Sequence, residues 1–191
     1  MKPLAGALVA LLVPIAAWAQ PVSDVDGPDT YLQIHLGALI PQSSALDQLD
    51  PGVAFGGAFG ARFSPMVSAE LGVGYARMTG RTGDFRSTLI DLPISASLRL
   101  RLPFERGEIS GLAGADIHSS RLSTESTLTS VSVSDRATSF GWHVGAGAGY
   151  QLSPTILVGV DVRRYFATAA YDGGDVDIGS LRVAATLDFH F

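Results

Sequence analysis

Four histidines are the first place to look for chemistry, because imidazole is the side chain whose charge ordinarily changes near neutral pH. His35, His118, His143 and His190 are scattered through the chain. Only His118 stands beside hydroxyls, Ser119 and Ser120, as a base beside a nucleophile would. Asp172, Asp175 and Asp177 offer oxygen ligands within six residues, the donor type a hard cation wants. Their spacing is not that of an EF-hand, and the segment reads as a solvated loop. The chain has no cysteine, which excludes disulfides, a thiolate metal site and a cysteine nucleophile. Its formal charge is -5 with no cluster of basic residues, so no nucleic-acid partner is expected. No catalytic, cofactor-binding or metal-binding residue emerges, and the expectation is a protein without cofactor or enzymatic activity.

The elements that carry these residues begin after an export segment. Met1 and Lys2 give a positive start, 4–17 is apolar, and Ala17, Trp18 and Ala19 have the small-x-small form of a cleavage site. That layout predicts a signal peptide over 1–19, its core too short to span a bilayer comfortably. A short polar lead follows over 20–29, and the remaining 30–191 reads as one domain.

Within 30–191 the apolar residues recur at every second position, the strand period. In 88–102, Ile90, Leu92, Ile94, Ala96, Leu98, Leu100 and Leu102 alternate with Asp91, Pro93, Ser95, Ser97, Arg99 and Arg101. The same alternation runs through 31–40, 53–64, 67–78, 108–118, 140–152, 156–166 and 180–191. Eight strands of about 10 to 14 residues result, near the length a tilted strand needs to cross a bilayer. The connections alternate too. Tight turns are expected at 64–66, 103–107 and 153–155, and longer polar loops at 41–52, 79–87, 119–137 and 167–179. This is how membrane barrels are built, with the termini and tight turns in the periplasm.

The polar face decides which side is wet. It is rich in glycine and carries both signs of charge: Arg62, Glu70, Asp91, Arg99, Arg101, Glu108, Asp116, Asp161, Arg163, Arg182 and Asp188. Such a face suits the filled lumen of an eight-stranded barrel, where long charged chains pair across and glycines make room. On a soluble barrel it would be the solvent face, where so much glycine is out of place. The four histidines share this parity and join the same interior network. Aromatic residues fall into two belts: Phe55, Tyr75, Phe140, Trp142 and Phe166 toward the outer rim, and Phe63, Phe104, Tyr150, Phe189 and Phe191 toward the periplasmic rim. Arg77, Arg86 and Arg164 lie on the outward parity near the outer rim, where lipopolysaccharide phosphates would meet guanidinium groups. The Ser/Thr-rich 119–137 is expected either as a disordered loop or as a β-hairpin prolonging the barrel, with an open edge for strand addition.

In 140–154, Gly141, Gly145, Gly147 and Gly149 alternate with Trp142, Val144, Ala146 and Ala148, and the segment closes on Ser153 and Pro154. This run resembles the penultimate hairpin of the small outer-membrane β-barrel proteins of the OmpA/OmpX-like group. Asp161, Arg163 and Tyr165 look like its continuation. The closing strand with Phe189 and terminal Phe191 resembles the assembly signal of that group. The resemblance covers the whole expected mature chain and specifies an architecture, not an activity. It implies an eight-stranded antiparallel up-and-down transmembrane β-barrel in the Gram-negative outer membrane, with lipid, lipopolysaccharide and the barrel-assembly machinery as partners. It also implies outer loops that present a cell-surface contact for a host or surface protein. A lipid A-modifying enzyme and a small leak channel are the alternatives within that group. Against the enzyme, His118 is on the inner parity and no acid with supporting spacing is evident beside it.

Overall fold

Residues 29–128, 132–171 and 174–191 are described by a computed structural model. The expected signal peptide, most of the polar lead and Asp172 lie outside them. Nine strands are present among the described residues: β1 (Asp29–Pro41), β2 (Gly52–Ser64), β3 (Val67–Thr82), β4 (Phe85–Phe104), β5 (Gly107–Ser126), β6 (Ser132–Ser153), β7 (Ile156–Tyr171), β8 (Gly174–Asp177) and β9 (Ser180–His190). Each strand from β1 to β7 pairs antiparallel with the next, and β9 pairs with both β7 and β1. The ring therefore closes with eight strands and no free edge across its body, which is the condition for burying backbone in lipid. β8 carries the β7–β9 ladder on toward the outer end of β7 in the same register, from Thr168↔Asp177 to Tyr171↔Gly174.

The alternation dictates which face each side chain takes. Leu36, Leu71, Val73, Leu98 and Leu100 are all more than 60 % exposed, whereas Arg101, Asp116, His143 and Asp161 are at most 1 % exposed. Apolar outside and ionic inside is the reverse of a soluble barrel and fits lipid. The aromatic belts are also in place. Phe55 stacks on Tyr75 at 5.0 Å and Trp142 on Phe166 at 4.0 Å toward the outer side, while Phe59 meets Phe191 at 6.5 Å near the closing strand. Glycine makes the lumen wide enough at Gly60, where any Cβ would fall among the ring atoms of Tyr31.

Two expected outer loops, 79–87 and 167–179, are largely strand instead, and 119–137 takes the hairpin of its two expected forms. β3 runs to Thr82 and β4 starts at Phe85, so the expected loop over 79–87 is a tight turn at Gly83, whose φ of 59° suits glycine. Likewise most of 119–137 is β5 and β6, paired from Ser119↔Thr138 to Glu125↔Ser132. The strands continue because period-two alternation continues; only the chemistry of the outward residues changes, from apolar to Ser, Thr and Arg. β3 to β6 thus form a tall wall above a shorter one made by β9, β1 and β2.

One joint in the ring has a gap in its ladder. Pairing between β3 and β4 lapses between Val73↔Ile94 and Ala76↔Asp91. Pro93 has no N–H to give the ladder, so Gly74 and Tyr75 go without partners there.

Candidate functional site

The lumen is layered. Nearest the periplasm is an ionic cluster in which Glu70 of β3 is the hub. It accepts from Arg99 Nε at 2.5 Å, from Arg99 Nη2 at 3.2 Å and from Tyr31 OH at 2.7 Å, with Arg163 Nη2 at 3.5 Å. Asp161 of β7 is the second hub, accepting from Arg163 Nε at 2.8 Å, Arg182 Nη2 at 2.9 Å and Arg99 Nη2 at 3.4 Å. Arg101 pairs with Glu108 and lies over the Tyr31 ring at 4.6 Å. Asp188 takes its bond from Gln33 Nε2 at 2.9 Å. These residues come from β1, β3, β4, β5, β7 and β9, so the cluster ties most of the ring together. Arg62 sits lower, half-buried among the residues lining the periplasmic mouth.

Above it, histidines replace arginines. His143 Nδ1 donates to Asp116 Oδ2 at 2.8 Å, and Ser97 Oγ lies 3.0 Å from His143 Nε2. Hydroxyl, imidazole and carboxylate in that order are the parts of a hydrolytic triad. Here all three are buried, on β4, β6 and β5. The arrangement satisfies buried polar groups across three strands. His118 Nδ1 lies 2.8 Å from Asp91 Oδ2, so the acid that spacing alone did not reveal beside His118 exists one strand away. Ser120 is engaged elsewhere, accepting from Tyr171 OH at 2.7 Å. His35 Nε2 accepts from Arg182 Nη1 at 2.8 Å, and His190 stacks on Tyr31 at 5.3 Å near the periplasmic end. Between His35, Asp91, His118, Tyr165 and Arg182 remains a cavity of about 20 Å³, room for one water.

The outermost layer is apolar, which alternation in the polar face did not suggest. Leu39, Ala54, Ala76, Met78 and Leu89 point inward from β1 to β4. The β1–β2 connection folds down on them through a short 3₁₀ turn (Ser44–Leu46), capped by Ser43 and burying Leu46 and Leu49. A second group, Ala137, Ala167, Ala169 and Ile178, continues the seal beneath β8. This first outer connection is therefore part of the barrel's core and not a free surface loop. Of the acidic run, Asp175 and Asp177 are exposed on β8, and Asp177 Oδ1 accepts from the Gly179 N–H at 2.7 Å. Among the described residues no three His, Cys, Asp or Glu side chains are placed to hold a metal.

The outward face of the tall wall carries its own pattern. Arg77, Ile90, Arg121 and Arg136 face one another in one row across β3, β4, β5 and β6. Thr79, Thr88, Ser123 and Ser134 form a second row above it, and Arg81, Arg86, Glu125 and Ser132 a third. The structure thus joins Arg77 and Arg86 on this wall and adds Arg81, Arg121 and Arg136, which the sequence reading overlooked. Arg164 stands apart on β7, its guanidinium 5.2 Å from the Phe166 ring centroid.

A closed antiparallel ring with an apolar exterior, aromatic belts and an ionic interior defines a transmembrane β-barrel. Residues 5–189 match the family model described as outer membrane protein beta-barrel domain. The chain belongs to that family and is a protein of the bacterial outer membrane. Several solved structures share the fold. Neisserial surface protein A is 16% identical with a TM-score of 0.57, over 85% of this chain and 97% of that one. Ail, the attachment invasion locus protein of Yersinia pestis, in complex with the heparin analogue sucrose octasulfate, is 16% identical with a TM-score of 0.53, over 85% and 99%. The outer membrane protease OmpT from Escherichia coli is 11% identical with a TM-score of 0.50, over 90% and 99%. At these identities the likeness is one of fold, and the fold carries surface proteins and a protease alike. A search of the curated proteins finds no sequence match.

Proposed function

We propose that this protein is a non-enzymatic surface barrel that anchors the tall β3–β6 wall and presents it outside the cell for contact. The observation that carries this reading is the edge of β6. Its ladder with β7 begins only at Gly141↔Ala167, so among the described residues 132–140 has ladder partners on the β5 side alone. An extended segment of a host or surface protein can add there as a further strand. That Ail, a barrel of this fold, was solved holding an external ligand supports a surface role. The filled lumen speaks against a leak channel, and the burial of Ser97 and His143 speaks against hydrolysis. The closing strand, with Phe189 paired to Leu32 and Ile156 and Phe191 exposed, is the segment we assign to the barrel-assembly machinery. The test is deletion of 121–136, which removes most of the β5–β6 hairpin that rises beyond the β6–β7 ladder. The shortened protein is expected to keep its heat-dependent gel shift and to lose binding to host cells or matrix proteins. Unchanged binding would remove the proposal.

A further inference from the structure

At the level of the outer aromatic belt the barrel wall is interrupted. The β3–β4 ladder lapses between Val73↔Ile94 and Ala76↔Asp91, where Pro93 has no N–H to give. The backbone around the gap is bare: Gly72 and Gly74 share the inward face of β3, and Gly56 of β2 stands opposite Gly74. A Cβ at Gly74 would come within 3.1 Å of Pro93 Cγ, so glycine lines one side of the gap and the proline ring the other. Outside it Phe55 and Tyr75 stack at 5.0 Å, with Phe55 half-exposed. Inside it lies the cavity of about 20 Å³, whose lining runs from Phe55 and Tyr75 through Gly74 and Pro93 to the histidine layer.

Four buried polar atoms of residues lining this cavity have no hydrogen-bond partner among the described residues: His35 Nδ1, Asp91 Oδ1, His118 Nε2 and Arg182 Nε. His35, His118 and Arg182 are 6 %, 3 % and 5 % exposed, so bulk water does not serve them. Their roles follow from the bonds they already make. Arg182 Nη1 can only donate, so His35 Nε2 accepts and its ring carries the proton on Nδ1. His118 Nδ1 donates to Asp91 Oδ2 at 2.8 Å, which leaves Nε2 of the neutral ring an acceptor. The set is therefore two donors, on His35 and Arg182, and two acceptors, on Asp91 and His118. Arg182 repels a cation and Asp91 repels a carboxylate, so the group that fits is neutral and both gives and takes hydrogen bonds. The volume admits a single oxygen atom. Leu39, Ala54 and Ala76 of the apolar layer cover the cavity toward the outside, and the ionic cluster fills the lumen beneath it. The approach that remains is sideways, from the lipid, through the gap.

We propose that the β3–β4 gap is a lateral binding notch for a membrane-dissolved long-chain alcohol. The hydroxyl passes between Gly74 and Pro93, where no ladder bond holds the strands together, and is held by His35, Asp91, His118 and Arg182. The slim methylene chain occupies the gap, and the rest of the molecule lies in the outer leaflet against the Phe55–Tyr75 pair. The notch is separate from the contact edge of β6 and stands or falls without it.

The experiment is a titration of full-length mature protein in phospholipid nanodiscs with 1-decanol, read by nitrogen NMR of labelled histidine rings. It compares the parent with Pro93→Val, which returns an N–H to the ladder and keeps all four polar residues, and with the outward-facing Gly111→Ala as control. The heat-dependent gel shift verifies that each variant is folded. In the parent the His35 and His118 resonances are expected to move saturably, while His190 at the periplasmic end stays put. Pro93→Val should bind about tenfold more weakly or not at all, and Gly111→Ala should match the parent. 1-Methoxydecane, an ether of the same chain that accepts but cannot donate, should bind the parent about tenfold more weakly, the loss of roughly one buried hydrogen bond. Equal affinity of parent and Pro93→Val overturns the proposal, and so do equal shifts with the ether. An absence of saturable shifts in the parent, with exchange between His118 and water, also overturns it and assigns the cavity to a water molecule. Should Pro93→Val fail to fold, the alcohol-to-ether comparison on the parent decides the question alone.

Discussion

Replacing Glu70 by glutamine tests whether the lumen behaves as one ionic core. In the lower layer four buried arginines, Arg99, Arg101, Arg163 and Arg182, face four buried acids, Glu70, Glu108, Asp161 and Asp188. Glu70 is 2 % exposed and accepts two bonds from Arg99 and one from Tyr31, with Arg163 and Arg101 also within 4.0 Å. The glutamine keeps the shape and removes the charge, which leaves one guanidinium buried without compensation. Breaking a buried pair in this way costs about 3–5 kcal/mol. With a urea slope of about 2 kcal/mol per molar, the unfolding midpoint should fall by about 2 M. The assay is urea unfolding of protein refolded into vesicles, followed by the heat-shifted gel band and by fluorescence of Trp142, the tryptophan that remains after the expected cleavage. A second variant, Glu70→Gln with Arg99→Met, removes both partners. It should recover most of the loss, because replacing a whole buried pair by apolar volume is often close to neutral. A midpoint for Glu70→Gln within about 0.3 M of the parent would refute the reasoning. It would mean that water screens these charges and the lumen is not dry.

Two further outcomes follow from packing. Gly60→Val drives a branched side chain into the Tyr31 ring and should abolish the heat-dependent gel shift, whereas Gly111→Ala, with no atom within 4 Å of the new methyl, should leave it unchanged. Leu46→Asp/Leu49→Asp places two carboxylates in the apolar seal and should expel the β1–β2 connection, making 42–51 cleavable by added protease. Current through planar bilayers should stay at baseline even then, because side chains fill the lumen beneath; a new conductance would show the seal to be the gate of a pore.

Period-two alternation was enough to place every barrel strand and to tell its two faces apart, since the alternation is read within each strand and needs no knowledge of its pairing. Strand ends on the outer side were not legible, because the alternation there is between small or apolar inward residues and Ser, Thr or Arg outward ones. Arg77, Thr79 and Arg81 on β3 look like loop when apolar positions are counted, and like strand only when Met78 and Gly80 are seen to be buried between them. Pairings were beyond reach for a different reason. Whether Asp91 meets His118, or Asp116 meets His143, depends on how neighbouring strands slide past each other, and nothing local in either strand encodes that. The outer apolar layer left one signal that went unused: Leu39, Met78 and Leu89 fall on the parity of the polar face. Leu46 and Leu49 had no such signal, because they sit in a connection and are buried by its folding back.

The unequal height of the two walls has a consequence for whatever approaches from outside. Outward apolar residues cover 67–75 on β3 and 109–117 on β5, as they cover 32–40 on β1, so the added height of the tall wall carries Arg, Ser and Thr and stands above the bilayer. The eight residues from Ile117 to Glu125 reach about 26 Å along the strand, or about 20 Å in height at a slope near 40°. An approaching molecule therefore meets a raised flank on the β3–β6 side and a low one on the side of β9, β1 and β2. The protein has a front and a back within the plane of the membrane.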